Sequence, residues 1–217
     1  MGRGSWGGGS SRGLTDAPGW LINTAVSRTL KGLIWVLLLT AGALRPVRAD
    51  GVPPEAFRTA AAATEVLGDQ VLRTNFSYIF QRMYPRFKAR AAKKAGGEEK
   101  LAEQLGKMPE QMTAEGIRIL SFKVGEPSSG FVLPEMREWL VFVPTTKVYM
   151  VQDQERKVNR RIESKGYQVA VAKEGGADWY FIDGANLTVQ ELRSIFPTLP
   201  KDEKQLKLPL VEQKEIK

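Results

Sequence analysis

The side chains that could do chemistry in this chain are acids, tyrosines and basic residues, because its 217 residues include no histidine and no cysteine. Without histidine the chain lacks the commonest general base and metal ligand, which excludes zinc hydrolases and Ser-His-Asp catalysis. Without cysteine it has no disulfide framework and no thiol nucleophile. The sequence therefore predicts no catalytic residue, no metal site and no cofactor.

Four acids at the ends of predicted strands are the remaining candidates for general acid or base chemistry. A solvated carboxylate or a turn cap is the simpler interpretation at a strand end. We therefore expect a protein that is not an enzyme, with a lyase or isomerase built from carboxylates and tyrosines as the alternative. The four acids are Glu138, Glu163, Asp178 and Asp183.

Aromatic residues provide the candidate ligand contacts, because tyrosine and tryptophan combine an apolar body with a polar tip. A packed core is the competing interpretation for aromatic residues at helix and strand spacing. For a ligand site we expect the hydroxyl of Tyr84 or Tyr149 to face a cavity of roughly 300 Å³ or more. The ligand-binding candidates are Tyr84, Tyr149, Trp139 and Tyr167.

The segment Ala172-x-Glu174-x-Gly176-x-x-Trp179 has the spacing of the sialidase Asp-box, S-x-D-x-G-x-x-W. The serine and the aspartate of that motif are replaced here, and the pattern occurs once, without the blade repeats of a propeller. We predict a structural hairpin formed by Glu174, Gly176 and Trp179, in which the buried tryptophan fixes the strand register.

Basic residues outnumber acidic residues by 32 to 24, which gives a formal net charge of +8. A nucleic-acid interface needs basic residues clustered on one face, and a single-strand binder adds aromatic platforms. Only residues 82–94, with six basic residues and no acid, approach this pattern, and a solvated helix face explains them. We expect no nucleic-acid partner, and adhesion of this segment to anionic envelope polymers is a further alternative.

The apolar segment LIWVLLLTAGAL, residues 33–44, follows Lys31 and precedes Val47 and Ala49. This order is typical of a secretory leader, and the run is about half of the roughly 20 apolar residues that a membrane span needs. We expect a leader over residues 1–49, cleaved after Ala49, with an uncleaved anchor as the alternative. The working protein is then periplasmic or secreted and has no membrane span, and the part that residues 1–30 play in the leader stays open.

Hydrophobic periodicity divides the rest of the chain into helices followed by strands. Proline and glycine positions set the predicted helix ends, and a capping box at Thr188-x-x-Glu191 begins a short C-terminal helix. Pro144 predicts that its strand is an edge strand or contains a bulge. The predicted helices cover residues 64–83, 85–94, 98–105 and 109–116, and the predicted strands cover residues 117–124, 139–150, 164–172 and 179–182.

Helices followed by consecutive antiparallel strands are typical of the α+β class. We predict N-terminal helices packed on one face of a curved four-stranded antiparallel sheet, a short C-terminal helix and an extended tail. The predicted organisation is a single α+β domain over residues 50–200, followed by an extended or disordered tail over residues 201–217.

Residues 60–209 contain four features that, in this order, resemble a known group of proteins. They are the Tyr-Pro helix break and the segments GIRILSFKVGEPSS, K-x-GG-x-x-W-x-F-I-D-G and L-x-x-x-FP-x-LP. The chain resembles uncharacterised secreted bacterial proteins with the cone-shaped, cystatin-like fold of nuclear transport factor two, ketosteroid isomerase and scytalone dehydratase. The enzymes of that superfamily place a carboxylate base or a His-Asp pair, with tyrosine donors, inside the cone. The resemblance therefore implies a cone without implying a reaction.

Taken together, these patterns predict a secreted or periplasmic binding module. Its partner is a small ligand or an envelope protein, bound through the open mouth of the sheet. The sequence selects neither the ligand nor the oligomeric state.

Overall fold

The computed structural model describes residues 51–153 and 158–216, so the predicted leader and the cleavage site after Ala49 lie outside the described residues. Helices come first in the described chain, and six strands and two short helices follow. The helices are α1 (Pro54–Leu72), α2 (Phe76–Gln81), α3 (Pro85–Ala95), α4 (Glu98–Ala114), α5 (Val189–Ile195) and α6 (Glu203–Leu206). The strands are β1 (Ile117–Val124), β2 (Ser129–Leu133), β3 (Glu138–Asp153), β4 (Val158–Lys173), β5 (Tyr180–Asp183) and β6 (Glu212–Ile216).

The six strands form an antiparallel sheet built around the long hairpin of β3 and β4. β1 and β2 pair with successive parts of one edge of β3, and β5 and β6 pair with successive parts of the opposite edge of β4. The α+β class is confirmed, and the predicted strand count of four is corrected to six. The two missed strands have five residues each, and the charged sequence of β6 carries no hydrophobic alternation.

Pro144 lies in the central strand β3, whose register with β4 is continuous through it, which corrects the prediction of an edge strand or a bulge. In an antiparallel ladder the N–H and C=O groups of one residue point toward the same neighbouring strand. The Pro144 carbonyl accepts a hydrogen bond from the Gly125 N–H at 2.8 Å. The N–H that proline lacks would therefore have pointed toward the same edge of β3, the edge that pairs with β1 and β2. There the β2 pairing ends at Phe142 and the β1 pairing begins at Thr145. The proline therefore occupies a junction between two short strands, where the loss of a donor is tolerated.

Both faces of the sheet are covered, which corrects the prediction of helices on one face. On one face, called the α1 face, Val141 and Val143 pack with small residues of α1. On the other, called the α5 face, Leu140 and Phe142 pack with residues of α5, α6 and the chain that follows α5. Since successive strand residues point to opposite faces, the unbroken run Leu-Val-Phe-Val is the signature of a strand buried on both sides.

The first predicted helix is two helices. α1 begins at Pro54 and ends at Leu72, and α2 starts at Phe76. Thr74 separates them with a left-handed φ of +53°. The Asn75 side chain then caps α2 by accepting a hydrogen bond from the Tyr78 N–H at 3.2 Å. Apolar spacing continues through this break, so periodicity alone could not locate it.

The predicted boundaries of α3 are confirmed, because Pro85 occupies its first turn and Gly96 ends it with a left-handed φ of +87°. The prediction of separate helices over residues 98–105 and 109–116 is wrong, because α4 continues through Pro109. A proline inside a helix removes a single hydrogen bond. Packing against α2, α3 and β1 stabilises α4 despite that lost hydrogen bond. The buried side of α4 consists of Leu101, Leu105, Met108 and Met112.

The C-terminal part of the chain packs on the sheet. The predicted capping box at Thr188 and Glu191 is confirmed at the start of α5. Residues 201–217 include α6, whose Leu206 is fully buried, and β6, which pairs with β4. No helix in the described part of the chain is long and apolar enough to cross a membrane.

Candidate functional site

An open cavity of about 680 Å³ lies on the α5 face, where the β2–β3 turn, the β4–β5 turn and the start of α3 meet. This volume falls within the range of roughly 300–1,000 Å³ that is usual for small-molecule sites. Apolar contributions to its wall come from Pro85, Met136, Val171 and Ala172. Its polar and aromatic lining consists of Tyr84, Arg86, Glu135, Glu138, Lys173, Asp178 and Tyr180.

Three of these residues, Tyr84, Glu138 and Lys173, form a hydrogen-bonded group that we call the cavity triad. The Tyr84 hydroxyl donates to Oε2 of Glu138 at 2.8 Å, and the Lys173 ammonium group donates to Oε1 at 2.8 Å. Lys173 Nζ also donates to the Met136 carbonyl at 3.2 Å. Glu138 is only 8 % exposed, so its charge is held in a buried wall by these donors.

Strand register and a backbone bridge position the triad. Glu138 begins β3 and lies directly opposite Lys173 at the end of β4, so both side chains share one face. Tyr84 lies just before α3, and its N–H donates to the Phe181 carbonyl at 3.0 Å, which ties this loop to β5. The Tyr84 ring packs against Phe196, with 5.2 Å between ring centroids. Tyr84 is therefore held in place through both its backbone N–H and its ring.

The environment of the triad keeps Tyr84 protonated. Burial raises the pKa of its phenol, and the hydrogen bond to Glu138 and the charge of that carboxylate raise it further, whereas Arg86 opposes them. Tyr84 is therefore a hydrogen-bond donor at neutral pH and does not act as a base. At the rim of the cavity, Arg82 forms an ion pair with the exposed carboxylate of Asp178 at 3.2 Å.

A second group of polar side chains, Lys147 and Asp183, lies on the α1 face and is called the closed pair. Lys147 Nζ donates to Oδ2 of Asp183 at 2.8 Å, and the side chains are only 15 % and 18 % exposed. Burial alone would lower the pKa of Lys147, but the Asp183 carboxylate, with a smaller contribution from Tyr149, raises it. Oδ1 of Asp183 accepts a hydrogen bond from the Ala185 N–H at 3.1 Å.

Helix α1 covers the region of the closed pair. The Lys147 ammonium lies 5.8 Å from the centre of the Phe122 ring, within cation–π range. That ring packs so tightly under Gly68 of α1 that a Cβ atom at this position would lie 2.4 Å from it. Only glycine allows the helix to approach so closely. The closed pair is therefore part of the packing between helix and sheet.

The structure does not bring the four predicted ligand-binding residues together. Tyr84 lines the cavity. Tyr167 is buried on the α5 face, its ring nearly perpendicular to that of Phe142, and burial raises its pKa to about 12. Trp139 and Tyr149 belong to the other face, where Trp139 packs on the apolar core and Tyr149 lies near Lys147.

The predicted structural hairpin connects β4 to β5. Its turn is closed by a hydrogen bond from the Gly176 N–H to the Lys173 carbonyl at 2.8 Å, and the Glu174 N–H donates to the Arg137 carbonyl at 2.9 Å. Trp179 is buried in the core of the α1 face, and its indole Nε1 has no hydrogen-bond partner among the described residues. The Glu174 side chain is exposed, so backbone hydrogen bonds of the turn, and not the Glu174 carboxylate, hold the turn together.

Sequence reasoning missed the roles of Glu138 and Lys173. We expected Glu138 to be a solvated carboxylate or a turn cap at a strand end, and it is instead a buried part of the cavity wall. A hairpin register could have found the pair. Because the β3–β4 register is continuous, the pairing of Asp153 with Val158 places Glu138 opposite Lys173.

Within the described residues, no group of three or more acidic side chains has the arrangement that could hold a metal ion. Comparisons with protein-family models, curated proteins and solved structures found no match to this chain.

Proposed function

We propose that this protein is a binding module for a small molecule and that its site is the cavity of the triad. The observation that carries the proposal is the Glu138 carboxylate, buried in the wall of a cavity that remains open to solvent. A buried charge is costly to a fold unless it is paired and hydrogen-bonded. Placing one on the wall of a pocket of ligand size is the arrangement expected of a recognition group.

The hydrogen bonds of the triad favour binding over catalysis. Both carboxylate oxygens of Glu138 already accept a hydrogen bond, and Tyr84 is held in its protonated form. A general base needs a lone pair directed at the substrate and a pKa matched to the working pH. Binding at Glu138 needs only the exposed Lys173 to give way, whereas the lyase or isomerase alternative would also need the carboxylate to accept a proton while Tyr84 donates to it.

The proposed location outside the cytoplasm rests on the leader pattern in residues 33–44. N-terminal sequencing of the exported protein tests it, with Asp50 as the expected first residue. An exported form that still carries Trp35 would contradict cleavage after Ala49.

Ligand screening by heteronuclear NMR tests the binding proposal. We expect bound molecules to shift backbone signals of the β2–β3 turn, the β4–β5 turn and the start of α3 together. Glu138→Gln should weaken binding by about tenfold or more, because a charged hydrogen-bond partner is lost.

Glu163→Gln is the matched control for this experiment. Glu163 also pairs with a lysine of the neighbouring strand, Lys214, at 3.1 Å, but it does not line the cavity. Equal loss of binding in both variants, or signal changes that avoid the cavity, would contradict the proposal.

A second candidate function is adhesion to an anionic polymer through α3. Arg86, Arg90 and Lys93 are exposed and spaced four and three residues apart, which places them along one side of the helix. The observation that favours this function is the absence of acidic residues from α3. Retention on an anionic resin should then fall with added salt and fall further in Arg90→Gln/Lys93→Gln. Salt-independent retention would eliminate it.

A further inference from the structure

We propose that the ligand of the cavity is a zwitterion of the α-amino acid type, with its ammonium group at Glu138 and its carboxylate at Arg86. This inference rests on the binding function proposed above and specifies the chemistry of the same site. It follows from the presence of both acidic and basic side chains, on different elements, in the lining of the cavity. Glu135 and Glu138 line it from the β2–β3 turn and the start of β3, whereas Arg86 lines it from the first turn of α3.

The protein itself already places an ammonium group at the acidic wall. Lys173 Nζ donates both to Oε1 of Glu138 and to the Met136 carbonyl, which together form a ready acceptor site for a primary ammonium. The Lys173 side chain is 70 % exposed. The lysine therefore reaches Glu138 from solvent, and Tyr84 still donates to the carboxylate when Lys173 leaves, so a ligand ammonium can take the place of Lys173 without leaving Glu138 unpaired.

The remaining acceptor capacity of Glu138 supports the same assignment. An ionised carboxylate has about four lone-pair positions, of which Tyr84 and Lys173 use one on each oxygen. Tyr84 continues to hold the carboxylate while the ammonium partner is exchanged. Its neutral phenol adds no charge that would compete for the ligand.

The first turn of α3 suits a carboxylate. Arg86 offers a planar guanidinium that can bind a carboxylate through two parallel hydrogen bonds. It lies in the first turn of an eleven-residue helix, where the helix dipole also favours negative charge. In the same lining, Met136 and Val171 of the α5 face provide apolar surface for the side chain of the ligand.

Matched sets of compounds test the charge requirement. Isothermal titration calorimetry would compare each common L-amino acid with its decarboxylated amine and its deaminated acid, for example phenylalanine, 2-phenylethylamine and 3-phenylpropanoate. We expect at least one amino acid to bind about tenfold or more tightly than both of its singly charged analogues. Arg86→Gln should remove this advantage over the amine, and Glu138→Gln should remove the advantage over the acid.

Lys173→Met gives the most discriminating result, and its exposed position makes it a mild change to the fold. For a ligand ammonium that replaces Lys173, the variant should bind the amino acid as tightly as the native protein or more tightly. A loss of affinity in Lys173→Met would mean that the lysine binds an anionic ligand, and it would overturn the zwitterion assignment.

The remaining outcomes separate this inference from the proposed function. Binding of an amine, an acid or a neutral compound in the cavity with the same affinity as the zwitterion would overturn the ligand class and leave the binding function in place. Failure of every compound in the amino-acid sets and in the wider NMR screen to bind would remove both.

Discussion

The cavity triad and the closed pair use the same chemical groups for different ends. Each contains a lysine and a carboxylate joined at 2.8 Å, with a tyrosine nearby. Both carboxylates are largely buried, but the Lys173 side chain is 70 % exposed, whereas that of Lys147 is 15 % exposed. The comparison shows that the covering elements, more than the residue types, decide whether such a pair can meet a ligand.

The difference arises from what lies over each pair. On the α1 face, the close approach of Gly68 to Phe122 brings the helix down over the strand that carries Lys147. On the α5 face, the triad lies where three connecting segments meet, and these leave the cavity between them. A continuous helix can seal a sheet surface, whereas converging loops leave space for a ligand.

The largest expected effect comes from breaking the closed pair. Lys147→Met leaves the Asp183 carboxylate buried without its partner and should lower the free energy of unfolding by about 3–5 kcal/mol. Urea denaturation measures the change. Adding Asp183→Asn removes the stranded charge and retains an acceptor for the Ala185 N–H, so the double variant should recover part of the loss. A cost below about 1 kcal/mol for Lys147→Met would show that the pair behaves like an exposed one.

A smaller effect is expected inside the triad. Tyr84→Phe removes the hydrogen bond to the Glu138 carboxylate and should lower the free energy of unfolding by about 1.5–3 kcal/mol, the usual range for a bond to a charged group. A double-mutant cycle with Glu138→Gln isolates this contact from the packing of the Tyr84 ring on Phe196. Additive losses in the cycle would mean that the hydroxyl and the carboxylate are not coupled.

Alkaline pH should lower the free energy of unfolding, because tyrosines buried on both faces of the sheet lose their protons. Burial raises the pKa of Tyr84 and Tyr167 on the α5 face and of Tyr149 on the α1 face above the ordinary value of about 10. The stabilisation from these protonated tyrosines is fully present below pH 10. Above pH 10 the unfolded state loses its tyrosine protons while the folded state still retains them. Their contribution is lost as the pH rises from about 10 through the folded pKa, which for Tyr167 is about 12.

Denaturation between pH 9 and pH 12 measures this loss. Tyr167→Phe should reduce the fall in unfolding free energy by up to about 1.4 kcal/mol per pH unit, the value for one proton. An unchanged slope would mean that Tyr167 ionises alike in the folded and unfolded states.

The smallest expected effect is that of Lys173→Met on stability. The Lys173 side chain is exposed, so water can take its place at Oε1 of Glu138 while Tyr84 still donates to Oε2, and the loss should lower the free energy of unfolding by only about 1 kcal/mol. It is the counterpart of Lys147→Met on the opposite face of the sheet, and urea denaturation of the two variants compares the pairs directly. Equal losses in the two variants would contradict the distinction between an open and a closed pair.

Part of the fold follows from signals within a few residues of each other. Pro85 and Gly96 set the limits of α3, and the Thr188 and Glu191 capping box begins α5, as predicted. β1 has its predicted bounds. Such features depend on backbone sterics and on local hydrogen bonds, so the sequence specifies them without reference to the rest of the chain.

The candidate site was predicted only in part, because its residues come from separate elements. Tyr84 was selected for its amphipathic side chain, and it does line the cavity. Trp139, Tyr149 and Tyr167 were selected by the same criterion, but strand alternation places two of them on the opposite face and packing buries the third. Residue type could not separate these environments.

The sequence by itself determined that helices precede the strands, the limits of α3 and β1, the start of α5 and the absence of histidine and cysteine chemistry. The tertiary structure decided that both sheet faces are covered, that β2 and β6 join the sheet, and that Glu138 meets Tyr84 and Lys173. The physical reason is the distance along the chain over which each feature is set. Caps and turns depend on neighbouring residues, whereas a buried carboxylate in an open cavity depends on the register of a sixteen-residue hairpin pairing and on the elements that pack around it.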